Sequence, residues 1–205
     1  MSNAFENDEQ RVSYGIGRQM GEQLLSSNIP DLTLDLVAAG LRDAYSQQPS
    51  QVDEAELQAA FQQLQEKMRA VAQESAKAAA QGGVDFLAEN AKRDGVVTLA
   101  SGLQYEVLTA GTGATPDASS TVQTHYEGQL ISGEVFDSSY KRGQPTEFPV
   151  GGVIAGWTEA LQLMQEGAKW RLFIPSELAY GERGAGNSIP PHSALMFDIE
   201  LLKVL

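Results

Sequence analysis

The chain has 205 residues, room for one large domain or two small ones, and 42% of them are hydrophobic, which suits a folded protein rather than a disordered one. It has no cysteine, which excludes disulfides, thiolate metal sites and a cysteine nucleophile, and its two histidines, His125 and His192, are too few for a multi-histidine metal site. A net charge of −13 sets it against phosphate backbones and anionic lipid.

The opening MSNAFENDEQ is acidic and has no apolar run, so it does not read as a secretory signal. Nowhere do apolar residues approach the roughly 20 in a row that a membrane-spanning helix needs. These features predict a soluble, cytoplasmic protein with no membrane or nucleic-acid partner.

Residues 1–94 hold 6 of the 20 glycines and 2 of the 8 prolines; the other 14 and 6 follow. That shift predicts a helical part and then a turn-rich β part. A first helix is expected over Val12–Leu25, with Ile16, Met20 and Leu24 as its apolar stripe and Asp8 or Ser13 as its cap. Asn28-Ile29-Pro30 breaks it. A second runs from Asp31 to Tyr45 on the stripe Leu34, Val37, Leu41 and Tyr45, and Pro49 ends the region. Asp53 and Glu56 have the spacing of a capping pair. A long helix is then expected from Val52 to about Lys92, roughly 60 Å. Its stripe Leu57, Phe61, Leu64, Met68 and Val71 is narrow, as in a helix that pairs with another. Gly82-Gly83 is its weak point, and a kink there is left open.

Beyond residue 95 the apolar period becomes two. Leu103/Tyr105/Val107, Val122/Thr124/Tyr126, Trp170/Leu172/Ile174 and Leu195/Phe197/Ile199/Leu201 each read as a half-buried antiparallel strand. Ser132-Gly133 marks a turn, and only Thr158–Gln165 reads as a helix. The expected architecture is α+β: an all-α N-terminal domain (1–50), a long connecting helix (51–94), and a twisted antiparallel sheet wrapped on one short helix (95–205).

Gly15-x-Gly17-x-x-x-Gly21 has the wrong spacing for a phosphate loop and no strand before it; helix packing, including packing across a dimer, explains it better. Neither histidine reads as a ligand, and no metal or cofactor is expected. No G-x-S-x-G elbow or EF-hand pattern occurs. Tyr126, Phe136, Trp157, Tyr180 and Phe197 stand beside turn glycines and prolines. They suit either a plain core or an apolar pocket with a few polar tips.

Thr124-His125-Tyr126-Glu127-Gly128, Phe136-Asp137-Ser138-Ser139, Val153-Ile154-Ala155-Gly156-Trp157, Ala179-Tyr180-Gly181 and the run from Ile189-Pro190-Pro191 to Phe197 follow in order. In them residues 95–205 resemble the FKBP-type peptidyl-prolyl cis–trans isomerases. The front part, with Ser13-Tyr14-Gly15-Ile16-Gly17-Arg18-Gln19-Met20-Gly21, is similar to the N-terminal domain of the Mip-like two-domain bacterial members. The resemblance implies five or six strands curled around one helix, with Trp157 as the pocket floor. It makes Tyr126, Phe136, Val153, Ile154 and Phe197 walls and Asp137 and Tyr180 polar tips. Ile189 and Thr146 join the substrate- and macrolide-binding set. The Ile154 N–H is the implied donor to a bound carbonyl. Thr146 stands where the family often has an aromatic wall residue, and Ala185 where its loop is often bulkier.

The implied reaction is rotation about Xaa-Pro bonds in folding proteins. It breaks no bond and needs no nucleophile. Asp137 either meets the rotating carbonyl or only orients its neighbours. Two short striped helices make a poor core alone, so a homodimer through residues 1–50 is expected, with the long helices holding two catalytic domains apart around a cleft for unfolded chains. Rapamycin-type macrolides are the implied inhibitors. The competing reading is a proline-binding chaperone that does not catalyse.

Overall fold

The structure, a computed structural model, describes residues 5–27 and 29–205. By packing, the chain forms two units, one ending at Gln62 and one spanning Gln63–Leu205.

Helix α1 (Asp8–Ser26) starts four residues before the expected Val12. Its cap is Asn7, whose side chain accepts from the Gln10 N–H at 2.9 Å, and Asp8 and Glu9 then sit at the positive end of the helix dipole. Neither Asp8 nor Ser13 is the cap. Of the expected breaker, Asn28 lies outside the described residues. Helix α2 (Leu34–Tyr45) starts late because Asp31 takes a left-handed φ of 56°, which no helix admits. Neither helix buries a residue. Helix α3 (Glu54–Asn90) is opened by Asp53, whose carboxylate accepts from the Ala55 N–H at 2.9 Å. It runs unbroken through Gly82-Gly83.

The second unit holds β1 (Val96–Thr98), β2 (Gln104–Thr109), β3 (Thr121–Leu130), β4 (Val135–Ser138), the one-turn helix α4 (Ser139–Arg142), β5 (Thr146–Pro149), helix α5 (Ala155–Leu161), β6 (Lys169–Ile174) and β7 (Leu195–Val204). All pairings are antiparallel in the order β1-β2-β6-β7-β3-β4, with β5 also on β3. Seven strands form where five or six were expected. The chain folds the short Val96–Thr98 back on β2, and β3 is long enough to take β5 along its first half and β4 along its second. The Ser132-Gly133 turn joins β3 to β4, with Gly133 at φ 89°.

Alternation sorts the two faces. Val122, Thr124 and Tyr126 of β3 and Leu195, Phe197, Ile199 and Leu201 of β7 point inward and are buried. They meet Trp157, Ala160 and Leu161 of α5. That helix begins at Ala155, three residues earlier than expected, because the Ile154 carbonyl already accepts from the Trp157 and Thr158 N–H groups. Trp157 therefore sits in its first turn, facing the sheet.

Candidate active site

Where α5 leaves the concave face of the sheet uncovered, a cavity of about 430 Å³ opens. Trp157 lies at its base, 4% exposed. Three rings stand edge-on to the indole: Tyr126 at 5.3 Å, Phe148 at 5.6 Å and Phe197 at 5.3 Å between centroids. Phe136 meets Phe197 in the same way at 5.6 Å. Edge-to-face packing lets each ring offer its positive edge to a neighbour's negative face. Gly128 makes room for this cluster: a Cβ there would fall 2.5 Å from Phe197 Cε1 and 2.7 Å from Phe136 Cε2. The indole N–H is buried with no hydrogen-bond partner among the described residues.

One corner of the cavity is polar. The Tyr126 hydroxyl donates to Asp137 Oδ2 at 2.6 Å and accepts from Arg142 Nη2 at 2.7 Å, and Arg142 Nη1 is ion-paired with Asp137 Oδ1. The guanidinium also lies over the Tyr126 ring, 5.4 Å from its centroid. Burial works to raise the Asp137 carboxyl, but the bonds from Tyr126 and Arg142 and the Arg142 charge outweigh it and hold the group below its ordinary value. Burial, reinforced by the bond to Asp137, pushes the Tyr126 phenol up. Asp137 is therefore an anion whose two oxygens already have donors. α4 makes this triangle: Ser138 caps it, and its single turn brings Arg142 back beside Asp137. Ser139 Oγ, fully buried, accepts from the Tyr126 N–H at 2.8 Å and ties the start of α4 to β3 at this corner.

Tyr126, Phe136, Asp137, Trp157, Tyr180, Val153, Ile154 and Phe197 all line the cavity. Two expected residues do not. Ile189 is buried in the core, where its N–H and carbonyl bridge to Ala185. Thr146 opens β5 opposite Thr124; Phe148, two residues on and on the same side of the strand, supplies the aromatic wall that Thr146 is too short to make. Sequence reasoning passed over Phe148, Gly152 and Arg142. The period of two from Thr146 to Phe148 was the available sign of the first, whereas Arg142 becomes visible only once α4 turns the chain. Among the described residues no group accepts from the Ile154 N–H. His125 is engaged by Ser139 Oγ at 2.9 Å and stacked on Tyr140. Among the described residues no three His, Asp or Glu side chains group as a metal site requires.

Two family models match: the FKBP-type peptidyl-prolyl cis–trans isomerase over residues 113–202, and the domain amino-terminal to FKBP-type peptidyl-prolyl isomerase over residues 9–107. The FKBP-type 22 kDa peptidyl-prolyl cis–trans isomerase of Escherichia coli is 49% identical over 201 residues, 98% of each chain. A Legionella longbeachae protein named outer membrane protein MIP is 40% identical over 98% of this chain and 88% of its own. The crystal structure of FkpA from Escherichia coli superposes with a TM-score of 0.71 at 38% identity, covering 98% of both chains. No described helix is long and apolar enough to cross a membrane, yet one relative is named for the outer membrane, so the relatives lend the cytoplasmic expectation no support. With both family domains matched in order and whole-length relatives named for one reaction, the chain belongs to the FKBP-type peptidyl-prolyl cis–trans isomerases and catalyses the rotation of Xaa-Pro peptide bonds.

Proposed function

We propose that the cavity over Trp157 is where the prolyl bond turns. The observation that carries this reading is its asymmetry: an aromatic floor and walls with a single polar corner. A planar amide is stabilised by charge separation between oxygen and nitrogen, and the twisted transition state loses it. An apolar, ring-lined site disfavours the planar form relative to the twisted one, which is differential binding. The Ile154 N–H and the Tyr180 hydroxyl hold the flanking chain. Asp137 orients rather than reacts, because Tyr126 and Arg142 already occupy both its oxygens. The site also takes rapamycin-type macrolides. The test is cis-to-trans turnover of a short Xaa-Pro peptide with and without rapamycin. Phe136→Ala should lose at least one tenfold of rate, about 1.4 kcal/mol. Unchanged turnover in both Phe136→Ala and Asp137→Leu would sink the assignment.

The front unit has its own task in this reading: it joins two copies and helps capture unfolded client chains. Supporting this, Val12, Ile16, Leu41 and Tyr45 are exposed, and nothing lies within 4 Å of where a Cβ would stand on Gly15, Gly17 or Gly21. Tyr14, Gly17, Gly21 and Leu25 share one open face of α1. Two sites on one body raise effective concentration without new contacts. Sedimentation of the chain lacking residues 1–50 tests the dimer: the expected result is a monomer. Refolding of a proline-limited protein by that monomer, set against its peptide turnover, tests capture.

A further inference from the structure

The two adjacent glycines in α3 do not have the same surroundings. A Cβ on Gly82 would stand 3.7 Å from Ile131 Cδ1, an ordinary contact. One on Gly83 would stand 3.0 Å from Ala194 Cβ, tight enough that Ala194 would have to give by a few tenths of an ångström. Gly83 and Asn90 are the buried residues of α3, and Ala194 is 4% exposed. Bare helix backbone at Gly83 is thus the surface on which Ala194 rests.

Ala194 is the downstream foot of the loop that begins at Tyr180. Two residues before it, His192 is held in the left-handed region, φ 59°, an uncommon conformation for a residue with a side chain. There its N–H donates to the Gly181 carbonyl at 2.8 Å, directly beside Tyr180. Higher up, Ala185 and Ile189 exchange both backbone hydrogen bonds, at 2.9 and 3.1 Å. The loop is closed on itself at two levels, and one end of the lower tie is two residues from the contact with α3.

We propose that Gly83 is a positioning residue for the isomerase reaction: by admitting Ala194 against the helix backbone it sets the His192–Gly181 tie and, through it, the place of the Tyr180 phenol at the cavity. This rests on the reading of that cavity as the site. No substrate contact is assigned to Gly83, and its influence passes through the loop alone.

The experiment measures kcat and KM for a Xaa-Pro peptide, with the melting temperature recorded for each full-length variant. Gly83→Ala should lower kcat/KM on the order of threefold to tenfold, as a shift of a few tenths of an ångström at a positioned group does. Gly82→Ala, whose Cβ makes only an ordinary contact, should match the parent. Ala194→Gly added to Gly83→Ala should restore turnover, because the new Cβ then meets only Ala194 N at 3.5 Å and Cα at 3.9 Å. Tyr180→Phe should lose activity alone, and adding Gly83→Ala to it should cost nothing more, a coupling that general destabilisation does not produce. Parent-like turnover in Gly83→Ala, an undiminished loss in the Tyr180→Phe background, or no rescue by Ala194→Gly would each overturn the proposal. Parent-like turnover in Tyr180→Phe would instead overturn the site reading beneath it.

Discussion

Asn90, the last residue of α3, is 3% exposed, and its side-chain amide donates to Gln104 Oε1 at 2.8 Å; Gln104, at the start of β2, is 4% exposed. Replacing Asn90 by alanine removes that donor and leaves the Gln104 carbonyl dry. Gln104 cannot turn to another partner, because its own amide is already given to the Leu87 carbonyl at 2.9 Å. A buried acceptor stripped of its donor costs about 1–3 kcal/mol. With urea slopes of about 1–3 kcal/mol per molar, that moves the unfolding midpoint by about 1 M. The assay is tryptophan fluorescence of the full chain in urea. Both tryptophans, Trp157 and Trp170, belong to the second unit, so the signal reports its unfolding alone. Asn90→Leu combined with Gln104→Met removes this donor and acceptor together and should recover part of the loss, since the bonds from Arg93 to Asn90 Oδ1 and from Gln104 to the Leu87 carbonyl go as well. A midpoint unchanged in Asn90→Ala, or a double variant worse than the single, would refute the reasoning that the end of α3 is part of the sheet unit's core.

A fragment beginning at residue 95 should accordingly unfold at lower urea than one beginning at 63, since it lacks Asn90, the Phe86–Phe173 ring contact at 5.9 Å and the Arg93–Glu106 pair at 3.0 Å. Phe148→Ala should lower peptide kcat/KM by about tenfold, because it removes ring contacts worth about 0.5–1.5 kcal/mol each to both Trp157 and Tyr126, whereas Thr146→Ala should stay within about twofold. Asp137 titrates lower folded than unfolded. Its stabilising contribution is therefore present at neutral pH and lost as the pH falls below about 3.9 and through the lowered value. The gap in unfolding midpoint between the parent and Asp137→Asn should close on acidification from pH 7 toward 3.

The division into a helical front and a β back was legible because most of the glycine and proline falls in the second, and because the apolar period changes from three or four residues to two. The aromatic members of the cavity were legible as motif residues, but their company was not. Phe148 sits in a four-residue strand whose alternation amounts to the single step from Thr146. Arg142 reaches Asp137 through a turn whose cap, Ser138, looks like any other serine in sequence. Helix starts were misplaced where the cap lay outside the apolar stripe, as at Asn7, or where one left-handed residue, Asp31, kept the chain out of the helix. The seat of Ala194 on Gly83 joins residues more than a hundred positions apart, and in sequence that glycine showed only its helix-breaking side.

The last strand to be made, β7, lies inside the sheet, bonded to β6 on one side and to β3 on the other, and it carries Phe197 into the cavity. The unit that ends with it is 143 residues long (205 − 62), which takes about 7–30 s to synthesise at 5–20 residues per second. Throughout that time the growing chain has a gap in the middle of its sheet, and the long-range pairing that fills it waits for β7 itself to be made. A nascent copy thus has no working cavity with which to turn the six prolines of its own second half. Those bonds depend on spontaneous rotation or on copies of the enzyme finished earlier.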